Sequence, residues 1–166
     1  HPFSIASADT DEIIIISKVE GDYTEKLMNL EENSEVLVEG AFGRFSYHFY
    51  PNPRQIWIAG GIGITPFIGM IKGLKNNSQY NIDLYYCIKD ETEKIGVPAP
   101  KVNLKLFLSK TMGHITGDYI KKNSKDFEIA DFFVCGPPPL MKSIREQLVK
   151  LGIKNSKIHS EEFSFD

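Results

Sequence analysis

The sequence predicts an α/β fold centred on a doubly wound parallel sheet, and three observations predict it. Beyond residue 53, apolar runs that suit strands alternate with segments that suit helices. Strands that are apolar throughout are typical of a parallel sheet with helices on both faces. Two of these runs end in glycine-rich turns that lead straight into helices, as strands do at the ligand-binding edge of such sheets. We therefore expect a helix-covered parallel sheet in the C-terminal part of the chain.

Composition excludes several classes of protein. The 166 residues, 42% of them apolar, suffice for one full domain or two small ones, and a net charge of −3 disfavours a nucleic-acid partner. Cys87 and Cys135 each stand in an apolar run, which indicates a reducing compartment rather than a disulfide scaffold. The longest uncharged stretch, residues 56–71, contains four glycines and a proline and is shorter than the ~18–20 apolar residues of a membrane helix. We expect a cytoplasmic chain without a signal peptide or a membrane span.

The first fifty residues predict a different kind of structure. The β-branched run Ile13–Ile16 predicts a buried strand, and the spacing of apolar residues over Thr24–Leu30 predicts a short helix. Val36–Val38 predicts a second strand, which the glycine-bounded turn Gly40–Gly43 ends. The segment Pro51–Pro53 interrupts regular structure, so we place a domain boundary between residues 50 and 51.

The second part of the chain, residues 51–166, alternates strands and helices. The predicted strands are Gln55–Ala59, Ile82–Ile88, Leu104–Leu108 and Phe132–Cys135. The predicted helices are Thr65–Lys75 and Pro138–Leu151, the second with Leu140, Ile144, Leu148 and Leu151 on one face.

The first glycine motif reads G-G-I-G-I-T-P over Gly60–Pro66. A strand ends there and a helix begins with proline, whose missing N–H costs nothing at that position. Backbone N–H groups and the positive end of the helix then converge on one point, which suits a pyrophosphate. The spacing is G-x-G-x-x-P rather than the G-x-G-x-x-G of the dinucleotide fingerprint, so a tight structural turn is the alternative.

The second motif, Cys135–Pro138, reads C-G-P-P. It places a thiol at the carboxyl edge of the sheet, where doubly wound folds bind ligands. A buried structural cysteine is the alternative. The Gly-Pro-Pro sequence fixes the backbone path beside the thiol and favours the functional interpretation.

Six segments in order carry a family resemblance: His1–Ser4 (H-P-F-S), Gly21–Thr24, Gly40–Gly43, Gly60–Pro66, Cys135–Pro138 and Glu161–Phe163 (E-E-F). Together they resemble the ferredoxin-NADP reductase superfamily, and within it the dehydrogenase domain of bacterial-type NADPH oxidases and ferric reductases. The one departure is Ala41, where that family has proline. The resemblance implies part of an antiparallel flavin-binding β-barrel in residues 1–50 and an NAD(P)H-binding domain in residues 51–166. Such a barrel has about six strands, so we expect the missing ones to precede His1.

The resemblance implies a flavin site at the start of the chain. Phe3 would lie against the flavin ring and Ser4 would offer its hydroxyl to N5, the atom that accepts hydride. His1 and Pro2 would lie beside the ribityl or phosphate part of FAD.

Further flavin contacts are implied by the second and last of these segments. Gly21 and Thr24 would present the start of the short helix to the flavin pyrophosphate. Phe163 would stack on the other face of the flavin and move aside for the nicotinamide, with Phe165 as the alternative.

The two sheet-edge motifs would hold the nicotinamide coenzyme. The residues assigned to this role are Gly61, Gly63, Thr65, Pro66, Cys135, Gly136 and Pro137. Cys135 would approach C4 of the nicotinamide and position the ring, because the chemistry belongs to the cofactors. Ser4, Cys135 and Phe163 are thus the expected catalytic residues.

Coenzyme choice depends on the residues after the second and third strands of the sheet. The pair Ser109-Lys110 resembles the Ser-Arg pair that holds a 2′-phosphate in plant-type reductases, and together with Lys89 it favours NADPH. Asp90 and Glu91 keep NADH as the alternative, since an acid near the end of the second strand can bind the ribose 2′-hydroxyl.

The resemblance implies a function. Hydride would pass from NADPH to FAD, and electrons would pass onward to a transmembrane haem domain, N-terminal in the same polypeptide, that reduces oxygen to superoxide or ferric iron to ferrous. The chain would then lie at the cytoplasmic face of the cell membrane. A soluble reductase serving a ferredoxin, oxygenase or globin is one alternative, and a non-redox nucleotide-binding module is another. The four histidines and two cysteines lack metal-site spacing, so we expect no metal in this chain and haem only in the other domain.

Overall fold

The computed structural model describes residues 1–74, 79–98 and 100–161, which contain a five-stranded parallel sheet. The strands are β1 (Arg54–Gly60), β2 (Asn81–Ile88), β3 (Asn103–Leu108), β4 (Asp131–Cys135) and β5 (Ile158–Ser160). The α-helices are α1 (Asp22–Met28), α2 (Thr65–Gly73), α3 (Ser109–Met112), α4 (Gly117–Asn123) and α5 (Pro138–Lys150). All four neighbouring pairs are parallel, in the order β3-β2-β1-β4-β5. From β1 the chain adds β2 and β3 on one side, then crosses back and adds β4 and β5 on the other side. This order confirms the predicted doubly wound sheet.

Residues of β1 alternate between two hydrophobic cores, one on each face of the sheet. Trp57 packs on the face covered by α2, where Phe67 stacks on it at 5.3 Å between ring centroids. Ile56 and Ile58 point to the opposite face, where α5 contributes Ile144 and Leu148. Burial on both faces explains why these strands are apolar throughout and could be recognised from the sequence.

The two long helices lie where their apolar spacing predicts them. Helix α5 begins at Pro138 as expected and ends one residue before Leu151. Helix α2 begins at Thr65 and ends at Gly73, because Leu74 is already extended.

The strand predictions for the first fifty residues are wrong. Ile13 is 56% exposed and Leu37 is fully exposed, and the only β-pairing in this segment is an isolated antiparallel bridge between Ile5 and Ile15. A β-branched run forms a strand only where a neighbouring strand pairs with it, and in this part of the chain the Ile5–Ile15 bridge is the only such pairing. The predicted helix is present but begins two residues earlier, at Asp22.

The first fifty residues are nevertheless attached to the face of the sheet that α2 covers. The hydroxyl of Tyr47 donates a hydrogen bond of 3.0 Å to the carbonyl oxygen of Gly73, and Ala6 is fully buried. Phe45 packs edge-on against Phe67 and Phe133, at 5.6 and 5.7 Å between ring centroids.

A buried ion network joins the amino ends of the first three strands. The guanidinium of Arg54 lies 2.5 Å from a carboxylate oxygen of Asp83, and these residues are only 4% and 5% exposed. Asn103 donates a 2.6 Å hydrogen bond to the other carboxylate oxygen, and the ammonium of Lys105 lies 3.3 Å from it. This network stabilises the sheet edge opposite to the glycine motifs. Its charged residues lie far apart in the sequence, so the sequence pattern did not indicate it.

Candidate functional site

The two glycine motifs meet at the carboxyl edge of the sheet. Strands β1 and β4 are neighbours, with Ala59 in register with Cys135. The strand order reverses between them, because β1 leads to β2 on one side and β4 pairs on the other. In open α/β sheets, ligands bind in the crevice at this switch point.

Backbone contact between the two loops requires glycine. A Cβ atom on Gly63 would lie 2.4 Å from the carbonyl oxygen of Cys135, closer than real Cβ contacts allow. A Cβ on Gly136 would lie 3.0 Å from the backbone of Gly60. The loops therefore pack against each other directly, and the contact of Gly63 with coenzyme remains a prediction.

The turn between β1 and α2 has the geometry of an anion site. Gly61 begins a single 3-10 turn, and a Cβ there would meet nothing within 4 Å, so the space beside this residue is open. Pro66 stands in the first turn of α2, and both Thr65 and Pro66 are buried. The Thr65 hydroxyl donates to the carbonyl oxygen of Ile62 at 2.9 Å. Thr65 thus stabilises the turn, and backbone N–H groups at the start of α2 are the groups suited to a phosphate.

Cys135 ends β4 as a buried thiol that is 2% exposed. Burial, with a contribution from the Glu161 carboxylate, raises its pKa to about 12. The thiol therefore stays protonated at neutral pH and is a poor nucleophile. This state agrees with a positioning role, which remains a prediction.

Glu161 is a site residue that the sequence did not single out beyond its motif. Its carboxylate oxygen lies 3.2 Å from the position that a Cβ on Gly43 would occupy. Burial raises the pKa of Glu161, and its charge acts on Cys135. The Gly40–Gly43 turn, the C-terminal segment and the β4 thiol are thus neighbours, although more than ninety residues separate Gly43 from Cys135 in the sequence.

The residues expected at the flavin lie together near the start of α1. The ring centroid of His1 lies 3.9 Å from that of Tyr23, and the ring centroid of Phe3 lies 6.1 Å from the same tyrosine ring. His1 and Pro2 are exposed, whereas Phe3 and Ser4 are half-buried.

The first turn of α1 is closed by its own threonine. The Thr24 hydroxyl accepts the N–H of Gly21 at 3.1 Å and donates to the Gly21 carbonyl at 2.9 Å. Thr24 therefore fixes the shape of this turn, and its contact with a ligand remains a prediction.

A third group of predicted residues lies at the carboxyl ends of β2 and β3. The backbone N–H of Lys110 donates to the carbonyl oxygen of Lys89 at 3.0 Å, which joins the two strand ends. Ser109 opens α3 and is half-buried, and the Lys110 ammonium lies 3.6 Å from a carboxylate oxygen of Asp90.

The predicted aromatic residue on the second face of the flavin lies outside the part of the chain that the structure describes. This holds for Phe163 and for its alternative, Phe165. Within residues 1–74, 79–98 and 100–161, no three His, Cys, Asp or Glu side chains form a group that could hold a metal ion. In the same part of the chain, no helix has the length and apolar character needed to cross a membrane.

Comparison with known proteins connects these features. No protein-family model matches the sequence. The glycine betaine monooxygenase reductase subunit of Chromohalobacter salexigens is 25% identical over 155 residues, 81% of this chain and 42% of that protein. NADH-cytochrome b5 reductase 2 of Yarrowia lipolytica is 30% identical over 155 residues, 80% of this chain and 53% of that protein.

Solved structures share the fold over nearly the whole chain. The cytochrome b5 reductase domain of Ulva prolifera nitrate reductase superposes with a TM-score of 0.78 at 21% identity, covering 96% of this chain and 78% of that one. Ferredoxin-NADP+ reductase from Plasmodium falciparum gives 0.74 at 22% identity, covering 97% of this chain and 76% of that one. In sequence and in fold the chain is similar to ferredoxin reductase-like proteins, which supports the superfamily predicted from the six motifs.

One plant protein is similar to a shorter part of this chain. Ferric reduction oxidase 8 of Arabidopsis thaliana is 38% identical over 92 residues, which is 48% of this chain and 13% of that protein. The chain spans about half the length of the first two relatives, 42% and 53%.

Proposed function

We propose that this chain is the coenzyme-binding part of a flavin-dependent NAD(P)H reductase that passes electrons to a protein acceptor. The observation that carries the proposal is the pair of glycine loops packed at the β1–β4 switch point beside the protonated thiol of Cys135. Bound FAD would accept hydride from the nicotinamide and release electrons singly.

The residues at the switch point would bind and orient the coenzyme. Backbone N–H groups at Gly61 and the start of α2 would hold the pyrophosphate, because the space beside Gly61 is open and the start of a helix carries partial positive charge. The buried, neutral thiol of Cys135 would contact the nicotinamide without adding charge to the crevice. Gly136 and Pro137 would set the path of the backbone on the far side of that thiol.

We propose that residues 1–50 are part of the flavin domain and residues 51–166 the coenzyme domain. The aromatic group of His1, Phe3 and Tyr23 beside α1 offers a flat surface that suits a flavin ring. Further strands would cover the apolar side chains that this segment leaves exposed: Ile13, Val19, Met28, Val36, Leu37, Val38, Phe42 and Phe49.

A soluble protein is the acceptor that we favour. The relatives that match about four fifths of the chain are, by name, a monooxygenase reductase subunit and a cytochrome b5 reductase. These names support the reductase with a soluble partner over the membrane haem domain that the motifs first suggested.

A ferric reductase or NADPH oxidase at the cytoplasmic face of a membrane is the second candidate. The match to the plant ferric reduction oxidase has the higher identity, 38%, although it covers 48% of the chain. The H-P-F-S start of the chain also favours this candidate.

Anaerobic reduction of the flavin tests the proposal. The full-length protein, with its flavin domain complete, would be loaded with FAD and mixed with NADH or NADPH without air, and loss of the visible flavin absorbance would be followed. Bleaching is the expected result. Nucleotide binding without flavin binding or bleaching would instead support a non-redox nucleotide-binding module.

Acceptor assays with the same reduced protein separate the two reductase candidates. Fast reoxidation by a ferredoxin or cytochrome b5 supports the soluble partner, whereas reoxidation only by ferric chelates or oxygen supports the second candidate.

A further inference from the structure

The end of β2 carries a fixed carboxylate. Asp90 begins the single 3-10 turn Glu91–Glu93, and its side chain accepts hydrogen bonds from the hydroxyl and from the backbone N–H of Thr92, the latter at 3.1 Å. The hydrogen bonds from Thr92, together with the nearby charge of Lys110, hold the pKa of Asp90 below its usual range. Asp90 is therefore ionised and oriented at neutral pH.

This carboxylate neutralises the lysine that the sequence assigns to a 2′-phosphate. The Lys110 ammonium lies 3.6 Å from Asp90, and the backbone of Lys110 is joined to the end of β2 through Lys89. A second carboxylate, that of Glu93, accepts the backbone N–H of Lys89 at 3.1 Å. The acids Asp90, Glu91 and Glu93 balance the cations Lys89, Lys94 and Lys110 in formal charge.

A site whose positive and negative charges are equal in number is poorly suited to a 2′-phosphate. The phosphate carries up to two negative charges and would meet the carboxylate of Asp90 as soon as it approached Lys110. Lysine also lacks the bidentate grip with which arginine compensates such a cost. A ribose 2′-hydroxyl is neutral and can donate a hydrogen bond to a carboxylate at the end of the second strand.

We propose that Asp90 sets the coenzyme preference, by neutralising Lys110 and accepting the 2′-hydroxyl of the adenosine ribose, so that the site takes NADH in preference to NADPH. This inference rests on the proposed function, because it requires that the carboxyl edge of the sheet bind a nicotinamide coenzyme. It replaces the preference for NADPH that the lysines alone suggest.

Calorimetric titration with ADP-ribose and with its 2′-phosphate tests the inference without redox chemistry. The two ligands differ only in the 2′ group, and neither carries nicotinamide. The unmodified protein should bind ADP-ribose at least about fivefold more tightly, the effect of one unit charge near 4 Å in water. Asp90→Asn keeps an acceptor for Thr92 but removes the charge, and should shift the ratio of the two dissociation constants by at least about fivefold toward the 2′-phosphate.

Two further variants are matched controls. Glu128→Gln removes the same charge from an exposed ion pair with Lys121, near the amino end of β4, and should leave the ratio within about twofold of the unmodified protein. Lys110→Gln combined with Asp90→Asn should remove most of the shift, because the ammonium that Asp90 had paired with is then absent. The ratio of kcat/KM for NADH and NADPH should follow the same order, through KM rather than kcat.

The outcomes separate the inference from the proposed function. Tighter binding of the 2′-phosphate form by the unmodified protein, or equal ratios for Asp90→Asn and Glu128→Gln, would overturn the inference and leave the reductase proposal standing. Binding of neither ligand would overturn the proposed coenzyme site and this inference with it.

Discussion

Gly63 has no room for a side chain because the backbone of Cys135 fills the space where one would lie. The contact holds the β1 loop against the β4 loop and fixes the width of the crevice between them. The sequence shows only that a glycine occupies this position. Which backbone lies against it depends on the pairing of β1 with β4, more than seventy residues away along the chain.

Gly63→Ala should therefore destabilise the fold and weaken nucleotide binding. The new Cβ would lie 2.4 Å from the carbonyl oxygen of Cys135, so the two loops must separate. We expect a loss of about 1–3 kcal/mol in the free energy of unfolding, measured by urea denaturation, with weaker binding of ADP-ribose. Gly21→Ala is the matched control, because a Cβ there would meet nothing within 4 Å, and an equal loss in both variants would contradict the loop contact.

The thiol of Cys135 supports a prediction about hydride transfer. Its burial and its raised pKa of about 12 make it a neutral contact surface rather than a nucleophile. Cys135→Ala should leave the FAD content unchanged but slow flavin reduction by at least about tenfold, because the nicotinamide would lose a positioning contact. Stopped-flow measurement of flavin bleaching provides the rate.

Cys87→Ala serves as the control for that experiment. Burial raises the pKa of Cys87 to about 12 as well, but Cys87 belongs to β2 and pairs with Phe107 across the sheet. Its replacement should leave the rate of flavin reduction unchanged. Similar rates in the two variants would show that Cys135 is a structural cysteine.

At the scale of the elements, the sheet has two edges with different chemistry. The carboxyl edge carries glycine loops and the ion pair of Asp90 with Lys110, whereas the amino edge is closed by Arg54 and Asp83. Burial alone would raise the pKa of Asp83, but hydrogen bonds from Arg54 and Asn103 and the charges of Arg54 and Lys105 outweigh it and lower the pKa. We therefore expect changes in the ion network at the amino edge to alter stability without altering ligand binding at the carboxyl edge.

Asp83→Ala should destabilise the protein without changing its nucleotide preference. The substitution leaves the Arg54 guanidinium buried without its carboxylate, which costs about 3–5 kcal/mol in comparable buried pairs. Urea denaturation gives the loss in free energy of unfolding. Glu20→Gln breaks the exposed pair with Lys18 and should leave the denaturation midpoint unchanged, so comparable losses would contradict the role assigned to the buried network.

The elements that could be predicted are those whose own residues decide their structure. Ile56–Ala59 and Phe132–Cys135 are apolar throughout, as strands buried on both faces are, and α5 has its apolar residues on the one face that it buries. In each case the sequence pattern matches the burial of the element. Ile13–Ile16 has the composition of a strand but has no neighbouring strand, and the three-residue β5 is too short to show a pattern. Pairing between distant segments decides both cases.

The residues of the candidate site also fall into those that the sequence could predict and those that it could not. The switch-point glycines could be found because a strand, a turn and a helix follow one another directly in the sequence. The contact of Glu161 with the Gly43 turn and the pairing of Lys110 with Asp90 could not, because each joins residues from different elements. The second of these contacts is the basis of the proposed preference for NADH.

At the scale of the whole molecule, the pH dependence of stability should depend partly on His159. Its ring stacks on Tyr50 at 3.6 Å, and its Nε2 atom is buried without a hydrogen-bond partner among the described residues. Burial, reinforced by the charge of Arg145 and opposed by Asp131, lowers the pKa of His159 below the usual histidine value of about 6.5. The unfolded chain therefore binds a proton below pH 6.5 that the folded chain does not yet bind.

Stability should accordingly be complete above about pH 6.5 and should fall as the pH drops toward the lowered pKa, by at most about 1.4 kcal/mol per pH unit for this one proton. His159→Phe keeps a ring against Tyr50 but cannot take up a proton, so its free energy of unfolding should change less between pH 7 and pH 5. Urea denaturation at the two pH values measures the difference. His114→Gln, at an exposed position, should retain the slope of the unmodified protein, and an unaltered slope in His159→Phe would mean that other groups govern the response to acid.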